Sequence, residues 1–307
     1  MIDGRDTGSI ELGGLLIFLF VAAILSCLSY YGATSMRNIK RNQDKMQSRS
    51  EAYALLHSIV LDMQTLADEP IDYPGNPSVL DLESKYSANA LRLADASSGF
   101  HLDCMPDDLL QSTSIRAFVF IDASSARYEE WRTKKGPINN EGQFAAFVRP
   151  EAVPFCTIYG WINERECPAF ACKIIERNFS INDAKNAFPL INNLAMMNIN
   201  MMDPAALIPL LHAGSWGIKN IDKAEERLLS VASAGPVGDA ELAVALGVPA
   251  KSRIFGYLGG KTSFWRLSLT YKGHAIRAIV AGIPEEDEES RRVGEYSLID
   301  WEMRDAS

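Results

Sequence analysis

The sequence predicts an α+β protein: a long N-terminal helix, transmembrane in its first half and amphipathic in its second, then an antiparallel sheet interrupted by a helical block. Three observations predict it. Leu12 to Met36 holds no charged residue. A 3.6-residue apolar repeat continues beyond it as Leu55, Leu56, Ile59, Val60, Met63 and Leu66. From Phe264 the apolar period changes to two.

The N-terminal segment comes first. "LGGLLIFLFVAAILSCLSYY" supplies about twenty apolar positions, the length a bilayer core of roughly 30 Å requires of a helix. Leu15, Leu16, Phe18, Phe20, Val21 and Ile24 form the expected anchor. A cleaved secretory signal would end at a small-x-small site, whereas this stretch runs into the interfacial pair Tyr30-Tyr31 and stays helical in pattern. One helix from about Leu12 to Ala67, about 80 Å long, follows. Arg37, Lys40, Arg41, Lys45 and Arg49 come after the span, and the positive-inside rule alone places the body in the cytoplasm.

The body reads in three parts. Residues 68–168 open on a Pro- and Gly-rich interruption, and "IRAFVFID" (115–122), "FAAFV" (144–148) and "FCTIYGWI" (155–162) read as strands. Residues 169–250 carry helix patterns, with "DAELAVALG" starting on Asp239 as cap and stopping at Gly247. Residues 251–307 form a meander: "FWRLSLTY", a Lys272-Gly273 turn, "HAIRAIVAGI" and "GEYSLIDWEM". Ahead of these parts stand the leader and span, 1–36, and the amphipathic extension, 37–67.

Composition excludes some functions. A net charge of −9 leaves no clustered basic face for nucleic acid, and "EEDEE" (285–289) reads as a solvated loop. A helix-hairpin-helix at 205–247 would need a tighter glycine hairpin than "HAGSWGIKN". "YLGGKTSFW" misses the phosphate-loop spacing and leads into a strand, where such a loop must open a helix. "HAGSWG" places Gly214 one residue before Ser215, where a nucleophile elbow needs two. No catalytic constellation results, and no enzyme is expected. Of the five cysteines, Cys104, Cys156, Cys167 and Cys172 fall in the body, which suits either disulfides or buried thiols.

"MNINMMDPAALIPLL" (197–211) places Asn198 and Asn200 at strand spacing before Asp203-Pro204, a capped helix start that Pro209 should bend or end early. With the single N-terminal span and the internal helical block, Asn198, Ile199, Asn200 and Asp203 resemble the K-type minor pseudopilin of type II secretion systems. That family carries Asn-(Ile/Val)-Asn-Thr-Ala there. Met201 and Met202 stand in place of Thr-Ala. The resemblance continues through "SRIFGYLGGKTSFWRLSLTYKG". "GFHLDCMPDDLL" (99–110) is similar to the family's earlier Asn-Leu-Asn segment, with His101 and Asp103 replacing the asparagines. Short polar side chains at such points bond local backbone and turn a strand into a helix, so the asparagines are read as architectural.

The resemblance implies a non-enzymatic part of a secretion pseudopilus. It would sit at the tip, bound to I- and J-type minor pseudopilins, in the bacterial inner membrane by a single pass with its body in the periplasm. It also implies a leader-peptidase site, for which Gly8 and Ser9 are the candidates. Glu11 lies third after Gly8, where most pilins have Glu fifth; K-type members lack that Glu. The family's Asp-Trp-Ile-Asp segment corresponds to "GWINERECP" (160–168), without its acids. No cofactor is expected; calcium is the metal for which Asp103, Asp107 and Asp108 offer oxygen ligands. The competing reading is a membrane-anchored extracytoplasmic binding or sensor domain unrelated to secretion.

Overall fold

The computed structural model describes residues 6–69, 71–159, 197–214, 216–249, 251–284 and 293–305. The chain divides into two compact units, Met1–Leu55 and Leu56–Ser307.

Helix α1 runs from Asp6 to Asp62, 57 residues or about 85 Å, and is long and apolar enough to cross a membrane. It stops before the predicted Ala67: a turn at Met63 separates it from α2, Gln64–Ala67. In the second unit, Leu56, Ile59, Val60, Met63 and Leu66 are buried, the stripe the apolar repeat marked. Helix α3 (Pro77–Lys85) is capped by Asn76, whose side chain accepts the Ser78 N–H at 2.9 Å.

The main sheet holds β1 (Arg92–Asp95), β4 (Phe264–Tyr271), β5 (His274–Pro284) and β6 (Val293–Asp305) in the order β1-β4-β5-β6, antiparallel throughout. A separate parallel pair joins β2 (Met197–Asn198) to β3 (Leu258–Gly259). The fold is α+β, as the sequence predicts, with the helical block between β1 and β4. Trp265, Leu267 and Leu269 are buried, while Thr270 is exposed and Arg266 and Ser268 are half-buried, so the period-two reading holds. Helix α2 packs on β6 and α3 on β1. Lys272 and Gly273 both take positive φ (47° and 78°), which a two-residue turn between right-twisting strands requires.

Three predicted strands have a different structure. Residues 115–122 lie mainly in helix α5 (Thr113–Val119), with Ser112 accepting the Ile115 N–H. Ile115 and Val119, four apart, share its buried face, so packing overrides their β preference. "FAAFV" falls largely in a 3-10 turn (Glu141–Ala146), leaving Val148 in an isolated bridge to Phe120. Residues 153–155 form another such turn, and Cys156 bridges Phe100; residues 160–162 lie outside the described residues.

The remaining helices among the described residues are α4 (Asp107–Leu110), α6 (Ala126–Lys135), α7 (Pro204–Ala213), α8 (Ile221–Ala234) and α9 (Asp239–Leu246). Pro209 sits inside α7 without ending it: burial of Ala206, Leu207, Leu210 and Leu211 on both sides of it offsets the one backbone bond it cannot make. Gly238, not Asp239, is the cap residue of α9, and Gly247 ends it at φ 65°. α5 packs on α7, and α8 on α9. Of the predicted helical block, 169–196 lies outside the described residues, as do Cys167 and Cys172.

Candidate functional site

Two regions concentrate what the sequence singled out. The first is the anchor. Leu15, Leu16, Phe18 and Phe20 are each more than half exposed, and Val21 and Ile24 are 47% and 44% exposed. Apolar side chains this open are a liability in water and a requirement in lipid. Gly8 and Ser9 lie within the first turns of α1.

The second is a buried polar hub built on Asn198. Its Nδ2 donates to the Asp72 carbonyl (2.8 Å) and to Thr262 Oγ1 (2.9 Å), while its Oδ1 accepts the Asn200 N–H (2.9 Å). Thr262 Oγ1 in turn donates to Asp95 Oδ2 at 3.1 Å, and the Thr262 N–H donates to Asp72 Oδ2 at 2.8 Å. Asn200 grips Val237 from both sides: its Oδ1 accepts the Val237 N–H (2.7 Å) and its Nδ2 donates to the Val237 carbonyl (3.0 Å). Gly260 fits here because a Cβ would stand 2.9 Å from the Val237 carbonyl oxygen. Ile199 is buried in the helical core, and Asp203 caps α7 by accepting the Ala205 N–H at 2.8 Å.

Lys261 completes the hub. Its ammonium donates to the carbonyls of Leu66 and Glu69, at the end of α2, and lies 3.5 Å from Asp72 Oδ1. A cation there satisfies last-turn carbonyls that have no intrahelical partner. Burial raises Asp72 to about 6, against the lowering by Lys261, and burial likewise lowers Lys261. Asn198, Asn200, Asp72 and Lys261 each hold backbone groups, and Thr262 Oγ1 links Asn198 to Asp95, so the hub's bonds tie distant segments to one another.

The first-half counterpart repeats this arrangement. His101 accepts the Cys104 N–H on Nδ1 (3.1 Å) and donates from Nε2 to the Ile158 carbonyl (2.9 Å). The His101 carbonyl accepts from Cys104 and Met105 as the Asn198 carbonyl accepts from Met201 and Met202. Asp103 accepts the Ile138 N–H as Asn200 accepts that of Val237. Those receiving residues lie in matching tripeptides, Gly136-Pro137-Ile138 and Gly235-Pro236-Val237. Phe100 bonds the Phe155 carbonyl as Met197 bonds that of Tyr257, both in parallel pairing. The chain therefore contains one supersecondary unit twice; the shared polar turn before a helix start is legible in the sequence at 99–110 and 197–211, and the Gly-Pro-Ile and Gly-Pro-Val pair is the further signal that completes the repeat.

This use of Asp103 disperses the calcium candidates. Asp103 faces inward to Tyr128 (2.7 Å) and Ile138, whereas Asp107 and Asp108 open α4 and Asp108 pairs with Arg253 at 2.8 Å, which lowers its pKa. Among the described residues, no group of three or more His, Cys, Asp or Glu is placed to hold a metal ion. Cys104 and Cys156 are buried, and burial pushes the Cys156 thiol up to about 12.

A groove of about 620 Å³ crosses the outer face of the sheet, lined by Asn140, Arg266, Arg277, Asp300, Trp301 and Glu302 among others. Arg266 pairs with Glu141 at its rim, and Tyr159 stacks near Phe264 (6.2 Å) at its floor. Its lining charges are mixed, with Arg266, Arg277 and Arg304 beside Glu141, Asp300 and Glu302. The chain matches no known protein family, no curated protein and no solved structure.

Proposed function

We propose that this protein is a non-enzymatic assembly subunit, a K-type minor pseudopilin at the tip of a type II secretion pseudopilus. The observation that carries the reading is α1 itself. An exposed apolar half continues without a break into residues whose buried stripe belongs to an α+β body with an antiparallel sheet. Such a helix can pass from a membrane into a helical bundle while its body remains folded. The Asn198-Ile199-Asn200 turn adds support, since both of its side-chain amides bond within the protein, holding Asp72, Val237 and the turn's own backbone and linking to Thr262. In this role the body is periplasmic, Gly8-Ser9 is the leader cut, and the partners are I- and J-type minor pseudopilins.

Labelling and co-purification test it. Cys104 and Cys156 are buried and cannot serve as topology probes, whereas Val244, 78% exposed on α9, is suited to carry one in a chain whose other cysteines are changed to Ser. A Val244→Cys chain should react with a membrane-impermeant maleimide in intact cells, and I- and J-type subunits should co-purify with it. Reaction only after lysis sinks the pseudopilin reading. The groove over β4, β5 and β6 favours a second reading, a membrane-anchored extracytoplasmic binding or sensor domain. In that case labelling would succeed, the partners would be missing, and deletion would leave secretion intact.

A further inference from the structure

The four cations that follow the apolar span have no use in the fold. Arg37, Lys40, Arg41 and Lys45 are exposed on α1, and none has an ion-pair partner among the described residues. Asp44 is the only acid between Arg37 and Lys45. Arg37, Arg41 and Lys45 are spaced by four residues, which places them along one side of the helix, with Lys40 flanking it.

Their level along the helix identifies what they face. The charge-free stretch ends at Met36, and Tyr30 and Tyr31, edge to face at 6.4 Å and both 71% exposed, mark where an interfacial aromatic belt would lie. At 1.5 Å per residue, Arg37 stands about 9 Å and Lys45 about 21 Å beyond Tyr31. That is the depth of a phosphate layer and the first Debye length outside it. The long stems of Arg and Lys reach back toward the interface while their charged ends stay wet. At the other end of the span, Asp6 and Glu11 make the flank acidic.

We propose that Arg37, Lys40, Arg41 and Lys45 form an anionic-lipid site, a headgroup collar that fixes the depth and rotation of α1 in the leaflet from which the body emerges. This rests on α1 spanning a membrane, as the proposed function requires. It also gives the cations a role that needs no cytoplasmic body: the same residues that the positive-inside rule counts are held by headgroup phosphates. Arg49, which has another partner, lies about 27 Å beyond Tyr31 and is outside the collar.

The test uses the full chain reconstituted in phosphatidylcholine vesicles carrying trace spin-labelled phosphatidylglycerol or spin-labelled phosphatidylcholine. Electron paramagnetic resonance reads the motionally restricted fraction of each. The expected result is an association preference for the anionic label of about threefold or more, lost in high salt. In a chain carrying Arg37→Gln, Lys40→Gln, Arg41→Gln and Lys45→Gln the preference should fall to about one, with thermal unfolding of the body unchanged. Incorporation without anionic preference overturns the collar and leaves the anchor standing. A preference that survives in the substituted chain overturns the assignment to these residues. Failure of the unsubstituted chain to incorporate overturns the anchor, and the collar with it.

Discussion

Replacing Asn198 by Ala should be among the most damaging single changes in the body. The side chain is fully buried and makes three hydrogen bonds, two of them to backbone groups and one to Thr262 Oγ1. Each is worth about 0.5–1.5 kcal/mol net, and the Asp72 carbonyl and Asn200 N–H left behind are buried without replacement, so the loss should be about 2–4 kcal/mol. For a body of this size that lowers the melting temperature by about 4–16 °C. The full chain in detergent, unfolded in urea and followed by both far-ultraviolet circular dichroism and tryptophan fluorescence, provides the measurement. Coincident transitions license the two-state analysis, and Trp216 and Trp265 are buried reporters. Asn198→Asp is the informative control. It keeps the acceptor for Asn200 but turns the donor toward Asp72 and Thr262 into an oxygen, so it should be no better than Ala at neutral pH. A loss below about 0.5 kcal/mol in Asn198→Ala would refute the hub as an architectural element.

Leu267→Ala removes a fully buried side chain from β4 and should cost about 2–5 kcal/mol, whereas Ser268→Ala on the half-buried face should cost under about 0.5; equal costs would deny the alternation. Asp72 has a folded pKa of about 6, above its ordinary 3.8. It therefore binds a proton on folding between these values, and its contribution is present below about 4 and lost as pH rises through about 6, amounting to about 3 kcal/mol. Asp72→Asn should flatten that part of the stability curve, and an unchanged slope would remove Asp72 as its source. His101 acts with the opposite sign: burial lowers its pKa, so its contribution is present above 6.5 and lost as pH falls below it, and His101→Asn should relieve acid sensitivity in the same titration. Val21→Arg should reduce membrane retention, read by alkaline extraction, because a charge at mid-membrane costs roughly 2.5–3.5 kcal/mol; full retention with supported secretion would remove the helix from assembly.

The elements that could be read from sequence were those whose side chains share one environment along their whole length. β4 alternates because one of its faces is buried, β5 stands out as an apolar run that is buried without a break from Ala278 to Ile283, and α1 carries first a uniform apolar surface and then a stripe. "IRAFVFID" reads wrongly as a strand because a short apolar run fits a buried helix and a buried strand equally; here Ile115 and Val119 pack on one helical face, and Ser112 caps the start. β1 was missed because "RLAD" has no apolar alternation to show: it is a short edge strand whose half-buried members are Leu93 and Asp95. At the hub, Asn198, Asn200 and Asp203 were legible from their chemistry. Their partners Asp72, Val237, Lys261 and Thr262 were not, because nothing local signals which distant backbone an amide will hold.

The duplicated unit shows why two such different spellings serve one turn. At its first polar position the turn needs an acceptor for its own backbone two or three residues on, and a donor for a carbonyl brought from far away. Asn198 supplies both from one amide, and His101 supplies both from one ring held as the Nε2–H tautomer. At the second position the turn needs an acceptor for the N–H that follows a Gly-Pro pair, and a carboxylate or an amide oxygen serves equally. The copies differ in what they risk. The Asn198 copy carries an amide at its first polar position, whereas the other carries His101 there, and protonating His101 would remove the acceptor that Cys104 uses. The first unit should therefore loosen in acid before the second. Hydrogen exchange at Cys104 and Met105 should speed up between pH 6.5 and 5, after correction for intrinsic rates, while exchange at Met201 and Met202 should not, because Asp72 beside that turn takes up its proton in the same range and favours the folded state. Equal change at both sites would mean that the two turns open only with the whole body, and that the repeat has no independent stability.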